Sequence, residues 1–468
     1  MRGWRKTKQS ALTSILIVVV LWAIQGDAAA ESHLTMAARE DAAATVENES
    51  ESSAELQAVK DEIQQGFSYV FQTLLTARTQ KPSDSTLNPD NDFLDIPRYT
   101  ILLEPRPDLY LEFRRLKLMA KPRWIVEWSR WEDGSRSGDT DTDEESFMNE
   151  WLARLRVVDG LFASCGRENL QWGPSYLLSP SNPFFRDNGL QNPKVEVPGM
   201  DFARLVWVTG SDLSFSVIAN VDEGRQDFIT EDFEPVYALK IDYTGYRKYA
   251  SLIASYREHD RPRLGSYAGW TISDALLLYG EGTVAQGSNA LYPVENPTAP
   301  LGIEMLATEE DSSSFEGILL LGASYTLQSG PTLTAEYVYN SEGYDDDETD
   351  LYDALRDRAS QAFFLPPPAS SLAQSVLGQT LDPGLRQLRQ NYLMAQYQHS
   401  RIWDVLNLVF RYTYNLDDNS SQFIPLIEYD VGDHTQFFLV GRQNFGSTDS
   451  EFRSALDYFY SLGVIFTF

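Results

Sequence analysis

The chain ends on Asp457-Tyr458-Phe459-Tyr460-Ser461-Leu462-Gly463-Val464-Ile465-Phe466-Thr467-Phe468, and the fold turns on how this stretch is read. Tyr460, Leu462, Val464, Phe466 and Phe468 alternate with Ser461, Gly463, Ile465 and Thr467. Successive side chains of a strand point to opposite faces, so the large residues make one apolar face. The same period recurs upstream. Leu213, Phe215, Val217 and Ala219 alternate with Ser214, Ser216 and Asn220; Tyr237, Leu239, Ile241 and Tyr243 alternate with Ala238, Lys240 and Asp242; and Leu406, Leu408, Phe410 and Tyr412 alternate with Asn407, Val409, Arg411 and Thr413. In a soluble sandwich such apolar faces must meet one another. Alternations this long, in so many strands, fit a lipid-facing band on a transmembrane β-barrel better.

The connections point the same way, because outer-membrane barrels have short periplasmic turns and long extracellular loops. Short links are expected at residues 120–122, 158–160, 209–212, 244–247, 272–274, 328–330, 399–404 and 431–434. Between them lie mostly longer, acidic ones at 132–146, 173–199, 221–235, 285–314 and 341–388. They imply about 17 strands from Asp108 onward, and a first strand at 98–104 brings the total to about 18, an even number that keeps both termini periplasmic. The count falls to about 16 if two weak strands, such as 264–270, are absent. The expected fold is therefore an all-β, antiparallel up-and-down outer-membrane barrel over residues 98–468, with a short N-terminal periplasmic helix.

Upstream, Arg2, Arg5, Lys6 and Lys8 precede an apolar run at 11–24 and the small residues Ala28 to Ala30. This is the pattern of a signal peptide over 1–30, and the run is shorter than the ~20 residues of a spanning helix. Residues 31–53 read as an acidic flexible leader. Leu56, Val59, Ile63, Phe67, Val70 and Leu74 recur at three- and four-residue spacing, which predicts a helix over 54–78, followed by a linker to residue 97. The single Cys165 excludes an intramolecular disulfide. The net charge of -30 argues against a nucleic-acid partner, and 24 Tyr with 10 Trp suit aromatic girdles at two membrane interfaces.

No residue pattern demands catalysis. Of the four histidines, His33 lies in the leader and His399 and His434 lie at expected short turns. His259 stands between Glu258 and Asp260 in an expected loop, an arrangement similar to the Asp-His pair of the omptin proteases, but a solvated charged loop explains it more simply. No catalytic residue, cofactor site or metal site is assigned. The acidic runs at 139–145 and 345–350 lack the spacing and glycine of a Ca²⁺-binding EF-hand loop and read as solvated loops, with divalent cations shared with lipopolysaccharide at an outer surface as the alternative.

The terminal strand ending in Phe468 resembles the signal by which the outer-membrane assembly machinery recognises its barrels. A second distinctive region runs from Gly166-Arg167-Glu168-Asn169-Leu170-Gln171-Trp172-Gly173-Pro174, through Leu178-Ser179-Pro180-Ser181-Asn182-Pro183-Phe184, to Pro198-Gly199-Met200-Asp201-Phe202-Ala203-Arg204. It resembles a strand-and-loop element of barrels related to alginate-export-type channels, and more weakly that of the capsule-assembly barrels. The family-like positions are Gly166, Arg167, Trp172, Gly173, Asn182, Pro183, Asp201 and Arg204.

If the more polar face points inward, the lumen collects Arg154, Arg156, Lys240, Arg257, Arg411 and Arg442 against Glu127, Asp242, Glu336, Glu428 and Asp430. Residues 341–388 hold a short helix at 350–361, Phe363, Phe364, Leu365 and the prolines 366–368, and are expected to fold over or into the mouth. The expected function is a channel for hydrophilic solutes, saccharides among them. The alternatives are a closed barrel that binds capsule or exopolysaccharide, and, further off, an outer-membrane hydrolase. The expected partners are outer-membrane lipid and lipopolysaccharide, the assembly machinery and the solute.

Overall fold

The computed structural model describes residues 57, 59–186, 188–225, 233–258, 260–307 and 314–468. The signal peptide, the acidic leader and His259 lie outside them. Strands β1 (Phe67–Pro82), β2 (Tyr99–Phe113), β3 (Leu116–Arg130), β4 (Thr140–Val158), β5 (Leu161–Glu168) and β6 (Met200–Thr209) come first. They are followed by β7 (Leu213–Asp222), β8 (Val236–Gly245), β9 (Lys248–Arg257), β10 (Arg263–Thr271) and β11 (Leu276–Gln286). A separate hairpin, β12 (Leu291–Glu295) and β13 (Ile303–Ala307), precedes β14 (Phe315–Thr326) and β15 (Thr332–Asn340). Helices α1 (Asp346–Phe363) and α2 (Ala369–Leu381) lead to β16 (Asn391–Ile402), β17 (Leu406–Asn415), β18 (Ser421–Val431), β19 (Thr435–Phe445) and β20 (Leu456–Thr467). All but β12 and β13 join one 18-stranded antiparallel sheet.

The sheet closes where β20 pairs with β1, from Gln72↔Thr467 to Pro82↔Leu456. Closure leaves no free sheet edge between the first and last strands, which lipid requires. The alternation read from the sequence is the alternation of the wall. Along β8, Val236 and Ala238 are buried while Tyr237, Leu239 and Ile241 are exposed; along β15, Val338 is buried while Leu333, Tyr337 and Tyr339 are exposed. The terminal strand turns Leu462, Phe466 and Phe468 outward, with Tyr460 and Val464 on the same face by alternation. The rings of Phe466 and Phe468 meet at 4.5 Å, and the Phe468 amide donates to Phe71 O at 2.9 Å.

Three sequence expectations need correction. The predicted helix over 54–78 gives way at Phe67 to strand β1, and of its described residues only 57 and 59–66 are helical. The barrel therefore starts at Phe67 and not at residue 98. Residues 120–122 are no turn but the middle of β3, which carries a register shift between Lys121 and Pro122 against β4. The acidic residues 140–145 belong to β4, paired with β3 along Ile125↔Glu145 and Glu127↔Asp143. The strand total survives because the missed β1 offsets the three strands assigned where β2 and β3 stand.

Prolines cause part of this. The β2–β3 ladder pairs Leu103↔Val126 and Leu109↔Ala120 in one register, with no pairs between them. Pro105, Pro107 and Pro122 fall in that gap. Proline has no N–H, so a Pro107 facing Pro122 forms no ladder bond and leaves two carbonyls unmet at mid-wall. Arg123 meets both: its Nη1 donates to Pro107 O at 3.1 Å and to Pro122 O at 2.9 Å.

Candidate functional site

Residues 169–199 leave β5 and return to β6, and between those points they cross the inside of the barrel. The family-like motif is the part of this loop that packs. Gly173 has φ +87°, and a Cβ there would collide with the Glu281 carboxylate of β11, so both the backbone and the close approach demand glycine. Beside it Glu281 accepts from Ser175 Oγ at 2.7 Å, Ser179 Oγ at 2.6 Å, and Ser181 Oγ and N at 2.7 and 3.1 Å. Glu336 of β15 accepts from the amides of Tyr176 and Leu177 at 2.7 and 2.9 Å and from Tyr279 OH at 2.6 Å. Each carboxylate is 2 % exposed. Loop donors thus replace the water that a buried carboxylate loses.

Asn182 shapes the turn that follows. Its Oδ1 accepts from the amides of Phe184 and Phe185 at 3.0 and 3.3 Å, and its Nδ2 donates to Leu170 O at 2.9 Å. Pro183, between Asn182 and Phe184, fixes its own φ within the bend and brings no amide that needs a partner. Phe184 and Phe185 then bury against Phe202, Ile218, Val236 and Ile253 of β6–β9, with Trp172 packed beside them. Leu177 and Leu178 bury against Tyr279, Ile318, Leu320, Val338, Tyr392 and Met394 on the other arc of the wall.

The second half of the loop is held by charge. Lys194 pairs with Glu428 and donates to Gln436 at 2.6 Å, and Arg106 donates to Lys194 O at 3.0 Å. Glu196 receives Arg123 Nε and Nη2 at 2.8 and 2.7 Å, with Asn149 Nδ2 at 2.8 Å. Burial works against the Glu196 charge, yet the hydrogen bonds and charge of Arg123 outweigh it and hold the carboxyl below the usual range.

The sequence-predicted inward residues fall as follows. Glu336 and Arg411 are buried on the loop, where Arg411 reaches Gln396 at 2.9 Å and Tyr176 O at 3.4 Å. Arg442 donates to Gln191 of the loop at 3.1 Å, and Glu428 holds Lys194. Lys240 pairs with Asp242 and lies 5.3 Å from the Trp172 ring centre. Arg154 covers Phe162 at 4.4 Å and Glu127 accepts from Ser129 at 3.2 Å, away from the loop, while Asp430 accepts at 2.8 Å from Gln436, the side chain that Lys194 of the loop reaches. Arg156 and Arg257 are exposed near strand ends. Among the other motif positions, Arg204 pairs with Glu168 at 2.7 Å, while Arg167 and Asp201 pair at 2.7 Å on the opposite face of the same strands. At Gly166 a Cβ would strike Trp151 O.

Sequence reasoning missed Glu281, Arg106, Arg123, Lys194 and Glu196. Glu281 carried a signal, a lone acid between Gly280 and Gly282 in an otherwise apolar strand, where the small neighbours leave room for the loop.

Residues 341–390 do not fill the lumen. Their helices pack with β12 and β13 around Tyr344, Tyr352 and Leu355 into a cap, and Arg386 reaches down to Ser179 O at 2.6 Å, Phe185 O at 3.3 Å and Asn182 O. Burial, with the charges of Arg263 and Arg186, pulls Arg386 down to about 10, still protonated at neutral pH. The run at 345–350 serves the helix, since Asp345 and Glu348 form the capping box of α1. Among the described residues no group of His, Cys, Asp and Glu is arranged to hold a metal ion.

No family model matches the chain, and no curated protein matches it in sequence. Solved structures do. The outer membrane protein OprD from Pseudomonas aeruginosa superimposes with a TM-score of 0.50 at 9% identity, over 86% of this chain and 94% of that one. OccK5 (OpdH) of the same organism gives 0.48 at 11% identity, over 86% and 98%. At such identities the likeness concerns the fold alone, and what the chain shares with these proteins is the outer-membrane barrel architecture.

Proposed function

We infer that the protein is an outer-membrane channel that passes hydrophilic solutes, and that residues 169–199 form its constriction. One observation carries this reading: a closed 18-stranded wall, whose inner face carries charged groups beside two apolar patches that the loop covers, is crossed by a loop bonded to that face. Eighteen strands enclose more room than wall side chains fill, so a loop crossing the lumen sets the aperture. The paired charges along it, Lys194 with Glu428 and Glu196 with Arg123, favour polar solutes of either sign over apolar ones. Saccharides suit such a lining. No chemical step is needed.

In this reading the short hairpins and both termini face the periplasm, and the capped, long-connection end faces outward in contact with lipopolysaccharide. The strand ending in Phe468 serves as the assembly signal. The resemblance to alginate-export-type barrels adds an export direction as the finer proposal; its support is the motif from Gly166 to Arg204, which here builds the loop. The closed, polysaccharide-binding alternative keeps one observation in its favour, namely that the loop bonds to both arcs of the wall and is braced from above by Arg386.

The test is single-channel recording of the folded protein in planar bilayers, with neutral and acidic oligosaccharides added. Steady ohmic steps interrupted by saccharide are expected. A demonstrably folded barrel that passes no current would overturn the channel and leave the closed barrel standing.

A further inference from the structure

The loop is anchored in two different ways. Its first half is fixed by buried acceptors, by two apolar clusters and by the cap. Residues 190–197 have less of this: Leu190 is 42% and Val195 52% exposed, the segment touches the wall through Gln191, Lys194 and Glu196, and its one apolar anchor is Val197, at its far end, packed against the cluster around Phe184 and Phe185. The cations of these pairs are buried but their carboxylates still meet water, Glu196 at 29% and Glu428 at 20% exposed, and such pairs depend on both charges being present, unlike the packed apolar anchors. Asn188, whose Nδ2 donates to Ser175 O at 3.3 Å and Tyr176 O at 3.1 Å, ties the start of this segment to the fixed half and marks where movement would begin.

Arg123 is the wall's side of the strongest of these contacts, and it is committed twice. Its side chain is 2 % exposed. Nη1 is spent on the two carbonyls that the facing prolines leave unmet; Nε and Nη2 grip Glu196, and Nη2 also reaches Asp108 at 2.8 Å. A planar fork serves these directions together, and a lysine ammonium does not.

The geometry points to a latch: the Arg123–Glu196 pair sets the channel's aperture by holding residues 190–197 against the proline seam between β2 and β3, and its release swings that segment away while the first half of the loop stays. The aperture role rests on the channel reading; the latch itself does not. Because Arg123 also completes the wall, the loop's position and the integrity of the seam are joined in one side chain.

The two roles separate by substitution. Glu196→Gln removes the charge pairing and leaves Arg123 on the proline carbonyls, so the barrel should fold normally. Amide hydrogen exchange of the folded full-length protein is expected to rise by about tenfold or more in residues 190–197, with residues 173–185 unchanged. In bilayers the same variant should show larger and noisier steps. Arg123→Lys should match it in exchange and also loosen the β2–β3 amides flanking the seam. Unchanged exchange in residues 190–197 of the Glu196→Gln protein, or equal release of both halves, overturns the latch. Exchange that rises as expected, in a protein that passes no current either way, supports the latch and removes the channel reading instead.

Discussion

Glu281 accepts four hydrogen bonds from a loop that its own strand never approaches in sequence, and this makes the residue more consequential than any single side chain of the motif it supports. Glu281→Ala leaves the hydroxyls of Ser175 and Ser181 and the Ser181 amide without an acceptor, while Ser179 Oγ keeps Trp172 O at 2.9 Å. Each orphan costs about 1–3 kcal/mol, so after partial relaxation a loss of about 3 kcal/mol is expected in reversible urea unfolding from phospholipid vesicles. A loss below about 1 kcal/mol would mean that the serines bond elsewhere. Gly173 and Asn182 were legible as a motif because backbone demands leave a local trace. Their partners were not: Glu281 and Glu336 lie about a hundred residues or more away, and nothing in a strand's alternation says which inward acid a loop will find. The same holds for Arg123, which reads as an ordinary inward charge until Pro107 and Pro122 are seen to face each other.

At the scale of elements, β1 shows how a local pattern loses to closure. Leu56 to Leu74 fit a helical face, yet the same residues carry a period of two, with Tyr69, Phe71, Leu75 and Ala77 on one side and Leu74, Thr76 and Gln80 on the other. An isolated helix gains little in water. As a strand, residues 67–82 satisfy both β2 and β20 and remove two open edges. The strand reading places Leu75, 45% exposed and paired with Leu103 and Val464, against lipid near the middle of the wall. Leu75→Arg should therefore cost about 2–4 kcal/mol in the same unfolding measurement. In the periplasmic helix first expected over 54–78, Leu75 lies off the apolar face and the substitution would cost almost nothing, so a neutral result would return β1 to the periplasm. The prolines of β2 and β3 misled in the opposite sense: they mark strand ends in most sheets, and here they mark a seam covered by a side chain.

For the whole molecule, the barrel class was legible because closure and lipid impose one alternation on every strand, whereas the cap was legible only in part: the helix expected at 350–361 lies within α1, but α2, the β12–β13 hairpin and the contacts among loops that hold them left no local trace. Arg356 pairs with Asp449 at 3.8 Å, Phe93 meets Phe363 at 6.2 Å, and Glu451 gathers Leu388 N at 2.9 Å, Tyr392 OH at 2.5 Å and Asn415 Nδ2 at 2.8 Å. Burial, with the Asp418 charge beside it, pushes the Glu451 carboxyl up to about 7 against the pull of those donors. Burial also raises Glu342, Glu348 and Asp353 in the same cap. A carboxyl whose pKa is raised in the docked state binds its proton more tightly there than when released. The stabilisation it lends is therefore complete below the ordinary carboxylate range and is lost as pH rises through about 7. The cap should accordingly dock more firmly as pH falls from about 8 to about 5, raising the amide protection factors of α1 and α2, that is exchange relative to the intrinsic rate at each pH, by at most about tenfold per pH unit for each proton taken up. Glu451→Gln, neutral at every pH, should remove the part of that dependence centred near 7 while leaving the weaker slope at lower pH that the other three carboxyls supply. A protection profile in the variant that still bends near 7 would place the titrating group elsewhere, and protection falling toward acid would show that the cap's carboxyls dock ionised.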